Sequence, residues 1–172
     1  MSVKQEHDMS TEAKNYTAQP KGDQVTDERR MTSPSAQRSE QSTLSRAQLG
    51  ALGERLSADY LEAEGYTVEA RNWQGRSGEL DLIVRRGAML VIVEVRSRTP
   101  GWLERASEAV TVSKQRQVAR CADEYLRLRP REAPAYEVIR FDVIGVTLRP
   151  PWGQAHAELD HEEAAFDSPW AY

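Results

Sequence analysis

Two apolar runs rich in β-branched residues, joined by a short connection, constrain the fold of this chain most strongly. The runs are Glu79 to Arg85 and Leu90 to Ser97, and Arg86-Gly87-Ala88-Met89 connects them. Two such runs separated by a few residues that include glycine are typical of a β-hairpin. We therefore predict a hairpin in which Arg85 pairs with Leu90.

This register gathers charged side chains on one face of the hairpin, because successive residues of a strand point to opposite faces. It places Asp81 opposite Glu94 and Glu79 opposite Arg96. Like charges directly opposite each other destabilise a sheet, so the two acids require a positive group between them. Arg96 and a divalent cation are the candidates, and carboxylate oxygens favour Mg²⁺ or Mn²⁺. The alternative is an exposed face on which Glu79 and Arg96 form an ordinary cross-strand pair. The opposite face carries Leu82, Val84, Val93 and Val95.

Two helices and two further strands are predicted around the hairpin. One helix begins after Ser45, a typical N-cap, and ends at Gly65, and a first strand spans Tyr66 to Asn72. A second helix spans Ser113 to Leu128, and a last strand spans Tyr136 to Leu148. The order α-β-β-β-α-β indicates an α/β fold, with helices packed on a mixed sheet.

Composition and charge divide the 172 residues into three parts. Residues 1–44 are polar and lack apolar periodicity, so we predict a disordered N-terminal extension. Residues 45–150 carry 17 Lys/Arg and 15 Asp/Glu and are predicted to form the one folded domain. This slight excess of positive charge is compatible with a nucleic acid partner. Residues 151–172 carry five acids and no Lys or Arg, which predicts an acidic disordered tail.

The chain has no apolar run long enough for a membrane span or a secretory signal. The longest run, Ala88 to Val93, is far short of the roughly 20 residues that a bilayer requires. The single cysteine, Cys121, cannot form an internal disulfide. These features predict a cytoplasmic protein that does not insert into a membrane.

The residues of the hairpin resemble a known family. The strings Gly78-Glu79-Leu80-Asp81-Leu82-Ile83-Val84 and Val93-Glu94-Val95-Arg96-Ser97-Arg98 are similar to the YraN-like uncharacterised bacterial protein family. That family belongs to the PD-(D/E)xK, restriction-endonuclease-like superfamily and is similar to archaeal Holliday-junction resolvases. The resemblance extends over about residues 46–148. Further matching pieces are Leu49-Gly50, Gly53-Glu54, Gly65-Tyr66, Arg71-Asn72-Trp73, Glu108-Ala109-Val110, Lys114 and Arg140-Phe141-Asp142-Val143.

The resemblance implies a restriction-endonuclease-like (tRNA-endonuclease-like) fold and metal-dependent hydrolysis of phosphodiester bonds in branched or single-stranded DNA. It implies that Asp81 and Glu94 hold Mg²⁺ together with the main-chain carbonyl of Val95, with Mn²⁺ as an alternative ion. Resolvases act as dimers, so the resemblance also implies a homodimer. Arg96 stands where the motif has a lysine. Arginine does not give up its proton in a protein, but it can hold a phosphate through two hydrogen bonds.

Three further residues are candidates for the same site. The resemblance to resolvases implies that Glu54, on the first helix, reaches the metal, and the alternative is a solvated helix acid. Glu79 is interpreted as a residue that binds the metal or orients water, or else as the partner of Arg96. Lys114 opens the second helix, where a cation opposes the helix dipole. A phosphate contact would explain its position, although an exposed lysine needs no explanation.

Other basic and aromatic residues are candidates for binding a nucleic acid. The candidates for phosphate contacts are Arg98, Arg105, Arg116 and Arg120, and the alternative for all of them is an ordinary solvated surface. Trp73 and Trp102 are candidates for stacking on unpaired bases, but packing against the edge of the sheet is favoured for Trp73.

These observations favour a metal-dependent DNA endonuclease over two rival functions. The first rival is a catalytically weak or inactive nucleic-acid-binding module of the same fold, in which Arg96 marks a decayed site. The second is a protein-interaction scaffold whose acidic tail docks a basic partner. The sequence contains no phosphate-binding glycine loop and no nucleophile elbow, which argues against an ATPase and a serine hydrolase.

Overall fold

The computed structural model describes residues 44–101, 105–130, 133, 135–153 and 156–167. Within these residues the chain forms two helices and five strands. They are α1 (Arg46–Ala63), β1 (Thr67–Gly75), β2 (Gly78–Arg86), β3 (Met89–Arg98), α2 (Val112–Leu128), β4 (Val138–Leu148) and β5 (Ala157–Glu162). The predicted α/β class and the predicted order α-β-β-β-α-β are confirmed, and a fifth strand follows them.

The five strands form one mixed sheet in the order β1-β2-β3-β4-β5. Strands β3 and β4 are parallel, and the other neighbouring strands are antiparallel. A parallel pair needs a crossover connection, which α2 provides. The two helices cover opposite faces of the sheet, because α1 packs in one cluster of buried side chains and α2 packs in another.

The predicted hairpin and its pairing next to the turn are confirmed, but the predicted pairs of Asp81 with Glu94 and of Glu79 with Arg96 do not form, because β2 and β3 separate before them. Arg85 pairs with Leu90, and the paired residues run from the turn as far as Leu82 and Val93. Gly87, in the turn, has a φ of +61°, a conformation that glycine adopts without a steric cost. The apolar face predicted from the alternation packs in the cluster with α1, and its members are Leu82, Val84, Val93 and Val95.

Helix α1 has the predicted boundaries and docks closely on β3. Its N-terminus is closed by a capping box, in which the Ser45 hydroxyl accepts the Gln48 backbone N–H at 3.3 Å and the Gln48 side chain accepts the Ser45 backbone N–H at 2.9 Å. At Gly53 a Cβ atom would lie only 1.9 Å from the Ser97 hydroxyl oxygen. The absence of a side chain therefore lets α1 approach β3 at the residue that precedes Glu54.

The main correction concerns the segment predicted as an acidic disordered tail. Ala157–Glu162 form strand β5, which pairs with β4 from Leu148 opposite Ala157 to Val143 opposite Glu162. Only two of its side chains, those of Ala157 and Leu159, join the cluster with α1. The strand depends on pairing with β4, a long-range contact that an acid-rich sequence does not reveal.

Two other predictions concern residues that the structure does not describe. The predicted disordered extension lies outside them, except for Leu44. Trp102 also lies outside them. In the part of the chain that is described, no helix is both long and apolar enough to cross a membrane.

Candidate active site

The candidate site lies where the pairing between β2 and β3 ends. Leu82 and Val93 are the last paired residues, although β2 continues beside β1 and β3 continues beside β4. At this point the Asp81 carboxylate accepts the Val95 backbone N–H at 2.8 Å. Asp81 therefore lies in the opening between the two strands, against the residue that follows Glu94.

Two cations from different elements meet at Glu94. This carboxylate is only 3% exposed, and its Oε1 atom lies 3.1 Å from a guanidinium nitrogen of Arg96 and 3.1 Å from the Lys114 ammonium. Arg96 comes from the same strand, whereas Lys114 comes from the first turn of α2. The alternative of an ordinary pair between Arg96 and Glu79 is wrong, because Arg96 pairs with Glu94. The Nε atom of Arg96 is buried without a hydrogen-bond partner, whereas 36% of the side chain is exposed.

Two further carboxylates approach Asp81. Glu79 lies on β2 opposite Gln74, and Glu54 projects from α1. Burial raises the pKa of Glu54, and the charges of Asp81 and Glu79 raise it further, whereas a hydrogen bond with Asn72 lowers it. Glu54, Glu79 and Glu94 thus each interact electrostatically with Asp81.

Burial also raises the pKa of the two central acids. For Asp81 the bond from Val95 and the charges of Lys114 and Arg96 oppose this effect. For Glu94 the charge of Asp81 adds to the burial, and Lys114 and Arg96 again oppose it. Burial and mutual repulsion disfavour the ionised forms of these two carboxylates. The cations present offset only part of this effect.

The donor set fits a hard divalent cation. Asp81 and Glu94 offer carboxylate oxygens, the ligands that Mg²⁺ and Mn²⁺ prefer, and a divalent ion would offset the repulsion between them. As the side chains stand, no three His, Cys, Asp or Glu residues within the described ranges converge on one metal position. The ion would therefore draw on the two acids first, with the remaining ligands supplied by main-chain oxygen or water.

The three predicted nucleic-acid-binding residues differ in their positions. Lys114 contacts Glu94, so it lies in the site itself. Arg98 donates from Nε to the Thr147 hydroxyl at 3.1 Å and lies beside Gly145. Arg116 is exposed on α2, two residues from Lys114. Arg98 is therefore tied to β4, and Arg116 remains open to solvent.

Trp73 is partly buried and packs against the cluster of buried side chains that contains residues of α2. Its ring meets the Tyr125 ring edge-on, with 5.6 Å between the centroids, in the cluster with α2. Cys121 is buried in the same cluster. The packing alternative for Trp73 is therefore confirmed.

Two residues that the sequence analysis did not single out shape this region. At Gly78, which has a φ of +136°, a Cβ atom would lie 2.1 Å from the Gln117 amide, so the side chain of Gln117 packs directly against the first residue of β2. Gln117 follows Lys114 by three positions and thus shares its side of α2. The Glu124 carboxylate accepts the Arg76 backbone N–H at 2.9 Å and holds the turn between β1 and β2. The helical spacing from Lys114 was the available signal for Gln117.

Comparison with known proteins decides the family. The model of Uncharacterised protein family UPF0102 matches residues 53–146, more than half of the chain. The chain belongs to this family. The matched residues include Asp81, Glu94 and Lys114, and the family assignment made from the motifs is confirmed.

Several UPF0102 proteins are similar to this chain. A relative from Chloroflexus aurantiacus is 42% identical over 117 residues, which cover 68% of this chain and 91% of the relative. A relative from Mycolicibacterium vanbaalenii is 42% identical over 106 residues, covering 62% of this chain and 85% of the relative. A relative from Symbiobacterium thermophilum is 44% identical over 102 residues, covering 59% and 84% respectively. These names state no activity, so the chemistry of the site is the basis for a function.

Proposed function

We propose that this UPF0102 protein is a metal-dependent endonuclease that hydrolyses phosphodiester bonds in DNA. The observation that carries the proposal is the meeting of Asp81 and Glu94 where β2 and β3 separate, with Arg96 and Lys114 on the same Glu94 oxygen. Acids and cations gathered in one partly buried opening are an arrangement suited to bind a metal ion and a phosphate side by side.

Asp81 and Glu94 would hold Mg²⁺ or Mn²⁺, with the Val95 carbonyl as a further ligand. When bound, such an ion lowers the pKa of a coordinated water and neutralises charge on the phosphate under attack. The Val95 N–H fixes the direction of the Asp81 carboxylate, so the chain itself orients this ligand before any ion arrives. Glu79 and Glu54 lie close enough to influence Asp81 and would position water or complete the ligand set.

Arg96 and Lys114 would act on the substrate. Arginine does not act as a proton acceptor in proteins, so the role of Arg96 is electrostatic: the exposed part of its guanidinium fork can hold a phosphate oxygen. Lys114 adds a second positive charge from α2. These two cations would stabilise the negative charge that grows on the phosphate during hydrolysis. Arg116, exposed on the same helix, would contact a neighbouring phosphate and add affinity that weakens with salt.

The substrate class follows from the resemblance to Holliday-junction resolvases. That resemblance favours branched or single-stranded DNA, and it favours a homodimer as the active assembly. The test is cleavage of labelled linear duplex, single-stranded and four-way-junction DNA with Mg²⁺, Mn²⁺ or EDTA. We expect cleavage that needs the metal and is lost in Asp81→Asn and in Glu94→Gln.

Asp123→Asn is the matched control, because Asp123 is an exposed acid that pairs with Arg127 on α2. It should cleave at the rate of the unchanged protein. Absence of cleavage by the unchanged protein, combined with DNA binding that weakens steeply with salt, would replace the nuclease by a non-catalytic binding module.

A further inference from the structure

A second acid, Glu162, lies in line with Glu94 across the sheet. Glu94 pairs with Val143 of β4, and Val143 pairs with Glu162 of β5. Directly paired residues point to the same face, so these three side chains form a row on the face that α2 covers. Glu162 lies beyond residues 53–146 and is therefore outside the match to the family model.

Glu162 holds the loop that leads into α2. Its carboxylate accepts the Ser107 backbone N–H at 3.2 Å, and its other oxygen accepts the Ser107 hydroxyl. The neighbouring residue Ala106 packs so tightly on β4 that a Cβ atom at Gly145 would lie 2.8 Å from its own. Ala106 and Val110 are buried against Val143, so residues 105–111 of this loop are anchored on β4 and β5.

The same loop sets the position of Lys114. The Thr111 hydroxyl accepts the Lys114 backbone N–H at 3.3 Å and so caps α2. The Val110 carbonyl accepts the Gln115 side-chain amide at 3.0 Å. A continuous set of contacts thus leads from Glu162 through the loop to the first turn of α2, where Lys114 meets Glu94.

We propose that Glu162 is a positioning residue of the candidate site: by fixing Ser107 it holds residues 105–111 in place and keeps Lys114 against Glu94. The consequence for catalysis rests on the proposed function, whereas the positioning of Lys114 does not. Two other acids of β5 and its end have different partners, since Glu158 pairs with Arg149 and Glu163 pairs with Arg140.

The test uses the small number of lysines in the chain. Lys114 is the only lysine among the described residues, and Lys4, Lys14 and Lys21 serve as internal references. The rate at which an acylating reagent modifies Lys114 in the full-length protein is measured by mass spectrometry. The variants are Glu162→Ala, Glu162→Gln and Ser107→Ala, and Glu158→Ala is the matched control on the same strand. Urea unfolding of each variant establishes that labelling is done on folded protein.

We expect Glu162→Ala to accelerate the labelling of Lys114 about three- to tenfold, the range for the loss of one or two hydrogen bonds. Ser107→Ala should act in the same direction. Glu162→Gln should be intermediate, because its amide oxygen can still accept the Ser107 N–H. Glu158→Ala should match the unchanged protein.

An unchanged labelling rate of Lys114 in folded Glu162→Ala and in Ser107→Ala would overturn the proposal. If Glu162→Ala does not fold, Ser107→Ala and Glu162→Gln decide, since each removes only part of the contact. A third outcome separates the two proposals. If no form of the protein cleaves DNA but Lys114 is still labelled faster in the variants, the proposed function is contradicted and the positioning role is supported.

Discussion

Buried carboxylates occur in two neighbouring regions of the sheet, and their partners differ. On β4 the completely buried Asp142 accepts two bonds of 2.8 Å from Arg140, one of 2.9 Å from His161 and one of 3.0 Å from the Ala164 N–H. These hydrogen bonds outweigh the effect of burial and lower the pKa of Asp142. Both oxygens of this carboxylate therefore accept hydrogen bonds from donors inside the protein, as is typical of a buried acid that stabilises the fold.

For the acids at the opening between β2 and β3, the effects that raise the pKa outweigh those that lower it. Burial raises the pKa of both Asp81 and Glu94, and Asp81 adds repulsion to Glu94. An acid that is buried, repelled by another acid and only partly compensated is poorly explained by stability alone. The comparison therefore separates a carboxylate that holds the fold together from a pair that is suited to bind a cation.

The largest expected effect is on the satisfied acid. Asp142→Asn leaves the Arg140 charge and the His161 ring without their anionic partner, and should lower the free energy of unfolding by about 3–5 kcal/mol. Urea unfolding at neutral pH measures this change. A loss below about 1 kcal/mol would remove the structural role assigned to Asp142.

The dependence on pH provides a second check of this acid. A lowered pKa stabilises the folded state at pH values above the ordinary aspartate pKa, which is about 4. The advantage of the unchanged protein over Asp142→Asn should therefore shrink as the pH falls below this value. A pH-independent difference would contradict the assignment.

The next effect concerns the placement of Glu54. In Gly53→Ala the new methyl group meets the Ser97 hydroxyl, so α1 must move away from β3 at a cost of about 1–3 kcal/mol. Gly50→Ala is the matched control on the same helix. There the nearest atom, a Glu54 oxygen, is 4.0 Å away, and the change should stabilise α1 by about 0.5–1 kcal/mol. Equal effects of the two substitutions on urea unfolding would contradict the close docking of α1.

For Asp81→Asn we expect a smaller change in the free energy of unfolding, and one of opposite sign. Because its pKa is raised, Asp81 favours folding most when protonated and loses this contribution as the pH rises through the raised pKa. In EDTA, Asp81→Asn should therefore equal the unchanged protein at acidic pH and become the more stable of the two at neutral pH. Urea unfolding across this pH range measures the difference. A variant that is less stable at neutral pH would show that Asp81 is structural, like Asp142.

The smallest effect is expected at Arg96. If this residue acts only through its charge, Arg96→Lys should leave the rate of DNA cleavage under single-turnover conditions nearly unchanged. A gain of about tenfold or more, equivalent to about 1.4 kcal/mol of activation free energy, would instead show that arginine impairs the native site.

The sequence was sufficient to predict the hairpin and both helices, and it indicated that Asp81 and Glu94 lie on neighbouring strands. The turn at Gly87 and the alternation of Leu82 and Val84 are local signals, and local signals determined the register and the two faces. The sequence did not reveal that Lys114 pairs with Glu94, because that contact depends on how α2 docks after the crossover. Strand β5 was not predicted either, because its pairing with β4 is a long-range contact that its acidic composition does not indicate.

The Asp142 network shows the same limit. Asp142 contacts Arg140, only two residues away on the same strand. The participation of His161 was missed, because the residue lies in the segment predicted to be disordered. A strand that joins the sheet late in the chain supplies partners that sequence spacing alone does not suggest.

The central claim is that Asp81 and Glu94 form a cation site, whereas an exposed acid such as Asp123 does not. Binding of Mn²⁺, followed by electron paramagnetic resonance, tests it without any assumption about the substrate. We expect the unchanged protein and Asp123→Asn to bind Mn²⁺ alike, and Asp81→Asn and Glu94→Gln to bind at least about tenfold more weakly. Equal affinity in all four proteins would contradict the account.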